Sequence, residues 1–381
     1  MNLYAHFPFC RRKCAYCALY SRTGVSQEDR DAYARRLAAE IASGGAGITP
    51  GGITPGGTGE SGQRGRPLPT ANCQLPTTNC LATVYFGGGS PALCDLRPLF
   101  AALAPHLPSV YEFTVELHPL DVSEPLLATL KAGGVNRISM GVQAFDDATL
   151  TAMGRGYTVA EALRAFELIK RHFDNAGLDL IVGFPGDPGP WKENARRYAE
   201  NLRRFAELGL RHCSVYSLQN ERNLRDVPDD DIVLDGIREV SARLKSLGLE
   251  RYEISNYATP GRECRHNLAV WRGEDYVGLG EGACGRIGLR RTRGVRSGYE
   301  TETLSPEEDL KERMIFRLRT REGLDASRFP AWRPILDRFV AEGLLTTNDR
   351  IPTANDQLPS ASYRLTPRGT EVCDSILAEI V

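Results

Sequence analysis

No stretch of this sequence holds the roughly 18 consecutive apolar residues that a membrane-spanning helix requires. The opening MNLYAHFPFC has neither the charged start nor the apolar run of a secretory leader, so a cytoplasmic location is expected. Charge of one sign is also missing: 47 Lys plus Arg stand against 48 Asp plus Glu, a net charge of −1. Such a balance gives no basic field for nucleic acid or an anionic membrane. Long polar tracts are confined to two places, and with 41% of its residues hydrophobic the 381-residue chain can bury a large core, which excludes global disorder. Cysteine is not lacking. Ten are present, too few for a disulfide scaffold of this size and in a compartment expected to be reducing, so their placement carries the information.

To about residue 220, β-type runs alternate with helical periods. Strands are expected at Leu3–Phe7, Thr83–Phe86, Glu112–Leu117, Arg137–Val142, Leu178–Val182 and Cys213–Leu218. Between them lie amphipathic segments such as 158–173, where Thr158 and Glu161 have capping-box spacing and Ala162, Phe166, Ile169 and Phe173 share a face. Another is 190–207, with Pro190 in its first turn and Trp191, Ala195, Tyr198 and Leu202 in a stripe. The alternation predicts an α/β fold with a parallel sheet whose site gathers at the C-terminal strand ends. Two low-complexity phrases, GITPGGITPGGTG with its continuation to Cys80 and RIPTANDQLPSAS at 350–362, read as insertions. Cys73 and Cys80 fall inside the first. Beyond 225 a helix is expected over 229–247, a strand over 251–257, irregular structure over 261–300, and then helices followed by a β-hairpin of 343–348 and 363–369 with a last helix. This gives three regions: 1–225, 226–304, and a winged-helix-like appendage over 305–381.

Cys10, Cys14 and Cys17 form C-x3-C-x2-C directly after the first strand. Three thiolates on one loop can hold three corners of a cubane iron–sulfur cluster and leave the fourth iron open. A structural zinc with His6 as fourth ligand and a Cys14/Cys17 dithiol are the alternatives.

The triplet resembles the signature of the radical S-adenosylmethionine (SAM) enzymes, and its surroundings resemble the oxygen-independent coproporphyrinogen oxidase family with its haem-chaperone relatives. That resemblance implies a partial (βα)6 barrel, a 4Fe-4S cluster on Cys10, Cys14 and Cys17, and SAM bound to the open iron, where one electron cleaves it to a 5'-deoxyadenosyl radical. It also implies a reduced flavodoxin or ferredoxin as electron donor. The residues matching its cofactor positions are Tyr4, Tyr16, the GGGSP turn with Gly88, Gly89 and Ser90, Glu116 in VELHP, Gln143 in GVQAF, Arg155 in MGRGY and Asp179 in LDLIVGFPG. The turn's N–H groups suit the amino-acid moiety, carboxylates can hold ribose hydroxyls, and Arg155 can pair with the ligand carboxylate.

The oxidases resemble C-x3-C-x2-C-x-C and carry a segment ahead of the cluster. Here Leu19 occupies the fourth position and the sequence starts at Met1, so the haem-chaperone branch is expected, with a client haemoprotein as partner. An oxidase or another radical SAM enzyme acting on a porphyrin-type substrate is the alternative. The branch's HN-x-x-Y-W stretch reads HNLAVW here. His266, Asn267 and Trp271 match while Val270 replaces the tyrosine, which places haem around His266, with local hydrogen bonding of that histidine as the competing reading. Cys284 stands where the family has a histidine, Tyr157 where it often has another; Cys264 or Cys284 is a further candidate iron ligand. His118 is placed near the site, and His106, His172 and His212 at the surface or helix ends.

Overall fold

The computed structural model describes residues 1–43, 81–187, 194–347 and 362–380. The low-complexity phrases, Cys73, Cys80, Pro190 and Trp191 lie outside the described residues, apart from Ser362. Six parallel strands follow one another in sequence and in space: β1 (Asn2–Phe7), β2 (Thr83–Gly88), β3 (Glu112–Leu117), β4 (Arg137–Gln143), β5 (Asn175–Val182) and β6 (His212–Ser217). Each matches an expected strand to within three residues at either end. Helices α1 (Gln27–Ala42), α2 (Arg97–Leu103), α3 (Glu124–Ala132), α4 (Asp147–Ala152), α5 (Val159–His172) and α6 (Ala195–Glu207) cross between them. In α5 the capping box of Thr158 and Glu161 forms in full, and Ala162, Phe166 and Ile169 are buried. The fold is α/β, an open parallel barrel.

Because successive side chains on a strand face opposite ways, each strand divides into two sets. Leu3, Ala5 and Phe7, Val84 and Phe86, Phe113 and Val115, Ile138 and Met140, Leu178 and Leu180 are fully or almost fully buried in the main apolar cluster. The alternate positions are polar. Tyr85, Glu116, Arg137, Ser139, Asp179 and Ser214 all line one central cavity. A parallel sheet covered by helices normally reads as continuous apolar runs; here the inner face is polar and encloses a cavity rather than a packed core.

Two regions depart from expectation. The strand expected over 251–257 is a hairpin, β7 (Glu250–Arg251) and β8 (Asn256–Ala258), with the Glu253 carboxylate accepting the Ser255 N–H at the turn. Residues 261–300, expected to be irregular, hold α8 (Arg265–Trp271) and the strands β9 (Tyr276–Leu279), β10 (Cys284–Ile287), β11 (Arg290–Val295) and β12 (Gly298–Thr303). Their glycines hide the pattern: Gly278 and Gly285 let β9 and β10 approach so closely that a Cβ on Gly278 would stand 2.1 Å from a backbone oxygen. β9 pairs with β1 and β8 with β6, so these strands extend both edges of the barrel sheet.

Helix α7 (Asp230–Ser246) lies before β7, close to the expected 229–247. The end of the chain has its own apolar cluster, built from α9 (Pro306–Leu318), the short strand β13 (Leu324–Asp325), α10 (Arg333–Ala341), the strands β14 (Leu345–Thr347) and β15 (Ser362–Leu365) and, after the short α11 (Pro367–Glu371), the last helix α12 (Cys373–Ile380). β14 and β15 form the expected hairpin, with β13 on the other side of β15.

Candidate functional site at the barrel mouth

The cavity, about 760 Å³, opens at the C-terminal ends of the strands. The loop leaving β1 closes on itself at its base, where Cys10 N–H donates to the Arg22 carbonyl, and is pinned at its far side by Ala15 N–H donating to the Met153 carbonyl. Lys13 Nζ donates to the Leu19 carbonyl (2.6 Å) and to Ser21 Oγ (2.7 Å). Cys10, Cys14 and Cys17 are half-buried, and all three line the cavity. Burial raises the Cys10 thiol above its ordinary range, with Cys17 and Cys14 adding to the rise. Deprotonated together, three sulfurs so placed would repel one another, which a cationic guest offsets.

His6 does not join them. Its Nδ1 is 3.0 Å from the Tyr4 hydroxyl and its Nε2 2.9 Å from the Tyr20 carbonyl, so both nitrogens are engaged. Among the described residues no group of three or more His, Cys, Asp or Glu is gathered tightly enough to hold a single metal ion. With both ring nitrogens engaged, His6 is not placed to complete a zinc site with the three cysteines.

Of the other expected residues, Tyr16, Gly88, Gly89, Ser90, Glu116, Gln143, Arg155 and Asp179 line this same cavity. Glu116 receives the Tyr85 hydroxyl (2.7 Å) and the Gly88 N–H (3.1 Å), and burial pushes its carboxyl up to about 7. Burial likewise raises Asp179, which accepts from Ser139 Oγ at 3.2 Å. Gln143 ends β4 at φ +77, beside a break in the β4–β5 register, a strained conformation of the kind held at functional sites. Arg155 donates to the Gly141 carbonyl (2.6 Å) and the Tyr157 hydroxyl (3.0 Å), and brings Nη1 to 3.5 Å from Cys14 Sγ.

The glycine turn works differently from expectation. Gly89 N–H donates to the Phe7 carbonyl and Ser90 N–H to the Phe9 carbonyl, both at 2.7 Å, while Gly88 N–H serves Glu116. These donors are used internally, so what the turn has left to offer a ligand are carbonyl oxygens, acceptors suited to an ammonium group. A Cβ on Gly88, at φ +103, would stand 2.5 Å from the His6 ring, and one on Gly89 2.4 Å from the Phe9 carbonyl.

Tyr4 does not reach the cavity lining. Its hydroxyl is held by His6 and its ring lies 6.0 Å from that of Tyr85, one layer below the mouth. His266 stands lower still. Thr83, Glu112 and Asn2 begin their strands, and they hold the start of α8: His266 Nδ1 is 2.8 Å from Thr83 Oγ1, whose hydroxyl donates to Asn2, and the Glu112 carboxylate accepts the Arg265 and His266 N–H groups at 3.0 Å. The local hydrogen-bonding reading of His266 thus describes the geometry, and the expected haem position meets a closed floor at the opposite end of the strands from the cysteines. The imidazole is 4% exposed and burial lowers its pKa to about 3. Trp271, expected against a porphyrin face, packs on Phe316 with Arg319 over its ring. Cys264 is buried beside Glu112 and Cys284 is exposed. His118 lines the cavity as expected. His212, expected near the surface, is 1% exposed, because it opens β6 facing inward and its Nε2 meets the Tyr252 hydroxyl at 2.8 Å.

Three further residues brace the site, one of them, Tyr157, from the MGRGY motif itself. Asp121 takes the Arg11 guanidinium (2.8 Å) and the Ser90 hydroxyl, tying the cysteine loop to the glycine turn. Tyr157 donates to the Gly141 and Val142 carbonyls and fixes Arg155. Glu281 accepts the Tyr20 hydroxyl at 2.8 Å with Arg22 3.5 Å away, anchoring the loop's exit. Of the further lining residues, Tyr85, Arg137, Ser139 and Ser214 carried a signal, because they hold inward positions in the strand alternation. At the bottom of the cavity Arg137 Nε and His212 Nδ1 are buried without a partner, polar atoms that fit an occupied rather than a dry lumen.

Comparison with known proteins accords with this geometry. Residues 79–189 match the family model of the radical SAM superfamily. The chain is 30% identical over 369 residues to the heme chaperone HemW of Synechocystis, covering 86% of this chain and 80% of that one. It is 29% identical to the mitochondrial radical S-adenosyl methionine domain-containing protein 1 of Bos taurus, covering 90% and 73%. Among solved structures, the coproporphyrinogen III oxidase HemN of Escherichia coli, a radical SAM enzyme, superposes with a TM-score of 0.70 at 19% identity, over 100% of this chain and 89% of that one, a likeness of fold. No helix among the described residues is long and apolar enough to cross a membrane. With three cysteines on a barrel-mouth loop, the carboxylates opposite them and a HemW relative along most of its length, this chain belongs to the radical SAM superfamily and, within it, to the HemW family.

Proposed function

We propose that this chain is a cytoplasmic haem chaperone that holds a 4Fe-4S cluster and SAM at the barrel mouth and passes haem to a client haemoprotein. The observation that carries the first half is that Cys10, Cys14 and Cys17 line one cavity with Glu116, Asp179 and Arg155. Cys10, Cys14 and Cys17 would hold the cluster, and Glu116 and Asp179 the ribose hydroxyls. The glycine-turn carbonyls would take the amino group and Arg155 the carboxylate. Bound there, cluster and cofactor supply one-electron chemistry, drawn from a donor of the flavodoxin or ferredoxin kind. Arg155 and Lys13 place positive charge beside the thiolates, while Asp121 and Glu281 fix the loop.

The haem half is supported by relatives named heme chaperones and by Leu19, apolar where the oxidases resemble a fourth cysteine. Anaerobic reconstitution with iron analysis and electron paramagnetic resonance tests the first half: a reduced cubane signal that changes on adding SAM is expected, and its absence refutes the reading. Incubating the reduced protein with coproporphyrinogen, and separately titrating it with haem, tests the second. Stoichiometric haem uptake without turnover is expected, whereas formation of protoporphyrinogen makes it an oxidase.

A further inference from the structure

This inference rests on the reading of the chain as a haem carrier and gives the haem a place. We propose that haem lies in the groove between the β6 edge of the barrel and the C-terminal helices, next to the cluster pocket, rather than at the barrel floor around His266. The groove has a volume of about 830 Å³, within the range of roughly 300–1,000 Å³ common to small-molecule sites. The barrel side offers Ile181, Val215 and Leu218, and the C-terminal side Pro367 and Val372.

Its apolar character is exposed. Leu19 (56%), Tyr216 (41%) and Val372 (39%) are among the few large apolar side chains left open to solvent in the described residues, and all three face this groove. They come from the cysteine loop, the barrel and the C-terminal helices, so the fold brings them together from three remote parts of the sequence. Scattered exposed apolar residues need no explanation; a convergent set in a concavity marks a binding surface.

Charge points to the occupant. Of the arginines lining the groove, Arg238 is held by Glu371 through both carboxylate oxygens, and Arg319 by Asp374 at 3.0 Å. Arg251 has no carboxylate within 4 Å among the described residues; it donates to the Tyr257 hydroxyl at 2.7 Å and keeps its charge for another anion. It stands where the groove joins a further cavity. Glu221 also lines the groove, on the loop after β6, so the anion-accepting part is the Arg251 side; an apolar trough with an uncommitted guanidinium there matches a flat macrocycle that carries carboxylates on one edge. Tyr16, Cys17, Leu19, Ile181 and Tyr216 line both the groove and the mouth cavity, so a haem seated here abuts the cluster loop. Leu19 thereby acquires a role: at the place of the fourth cysteine it gives the groove an apolar wall. No histidine lines the groove, so an imidazole of this chain is not the iron's partner there.

The experiment is anaerobic haem titration of the full reconstituted chain, read by the Soret band, for wild type, Leu218→Ser/Val372→Ser, Arg251→Gln, Arg251→Lys and His266→Ala. Binding about tenfold or more weaker is expected in the double variant and in Arg251→Gln, with recovery in Arg251→Lys and an unaltered cluster signal throughout. His266→Ala is expected to keep both the affinity and the Soret position. Hydrogen exchange on the wild type gives a second readout that no variant's folding can disturb: haem should protect 215–219 and 367–375. Loss of binding in His266→Ala with the groove variants unaffected, or protection confined to 264–271, overturns the assignment. Failure of wild type to take up haem at all overturns the carrier reading itself, a result distinct from either.

Discussion

The two ends of the barrel use the same side-chain chemistry to opposite effect. At the mouth, cysteines, carboxylates and an arginine face an open cavity, held from behind by Asp121, Tyr157 and Glu281. At the floor, a cysteine, two histidines and a carboxylate, Cys264, His212, His266 and Glu112, bond to one another, to neighbouring hydroxyls and to backbone, with His212 Nδ1 left unpartnered. The difference lies in what each group's hydrogen bonds serve. Glu112 spends its carboxylate on the first N–H groups of α8, the standard use of an anion at a helix start, and so closes the lumen. Glu116, four residues along the same strand and on the same face, is left beside the cavity with its carboxyl pushed up to about 7. Residue type therefore does not mark a site; the ends of the strands do.

The sharpest way to break the symmetry is at the mouth. Cys14→Ser is expected to abolish cluster retention, seen as loss of iron after reconstitution, while the thermal transition of the cluster-free protein shifts little because the side chain is half-buried on a loop. Gly88→Ala comes next. A Cβ at φ +103 and 2.5 Å from His6 costs about 2–3 kcal/mol in stability, measured by urea unfolding, and SAM should no longer perturb the cluster signal.

At the floor the expected pattern reverses. Glu112→Gln removes the charge that caps α8 and is expected to cost about 1–2 kcal/mol with cluster binding retained. A larger loss of cluster than of stability would contradict the separation of the two ends. The smallest effect is on pH dependence. Burial lowers the pKa of His266 to about 3, so between about 3 and its ordinary 6.5 the unfolded chain binds the proton that the folded chain refuses. Its contribution is intact above 6.5 and declines as pH falls. His266→Asn is therefore expected to flatten the fall in stability between pH 6 and 5 by up to about 1.4 kcal/mol per unit. An unchanged slope would mean that the imidazole is solvated.

The six strands were legible because their outer faces carry Leu3, Val84, Phe113, Ile138 and Leu178 in period two, and the cysteine loop because C-x3-C-x2-C sits at a strand end. The region 261–300 was not, since its strands are built on glycines whose role is close backbone approach, a property without a side-chain pattern. His212 was misplaced for a related reason: an inward position on a barrel strand places a residue in the lumen, but only its hydrogen-bond partner sets its depth.

By itself the sequence determined where the six strands lie and that three thiols share one strand-end loop, because both are written in local spacing: three thiols within eight residues, apolar runs every few dozen. Only the tertiary structure decided that His266 seals the floor, that Asp121 and Glu281 brace the loop, and that Leu19, Tyr216 and Val372 meet in one groove. Those facts depend on contacts between residues tens to hundreds of positions apart. They are fixed by how the strands close into a barrel and where the last helices come to rest against its edge.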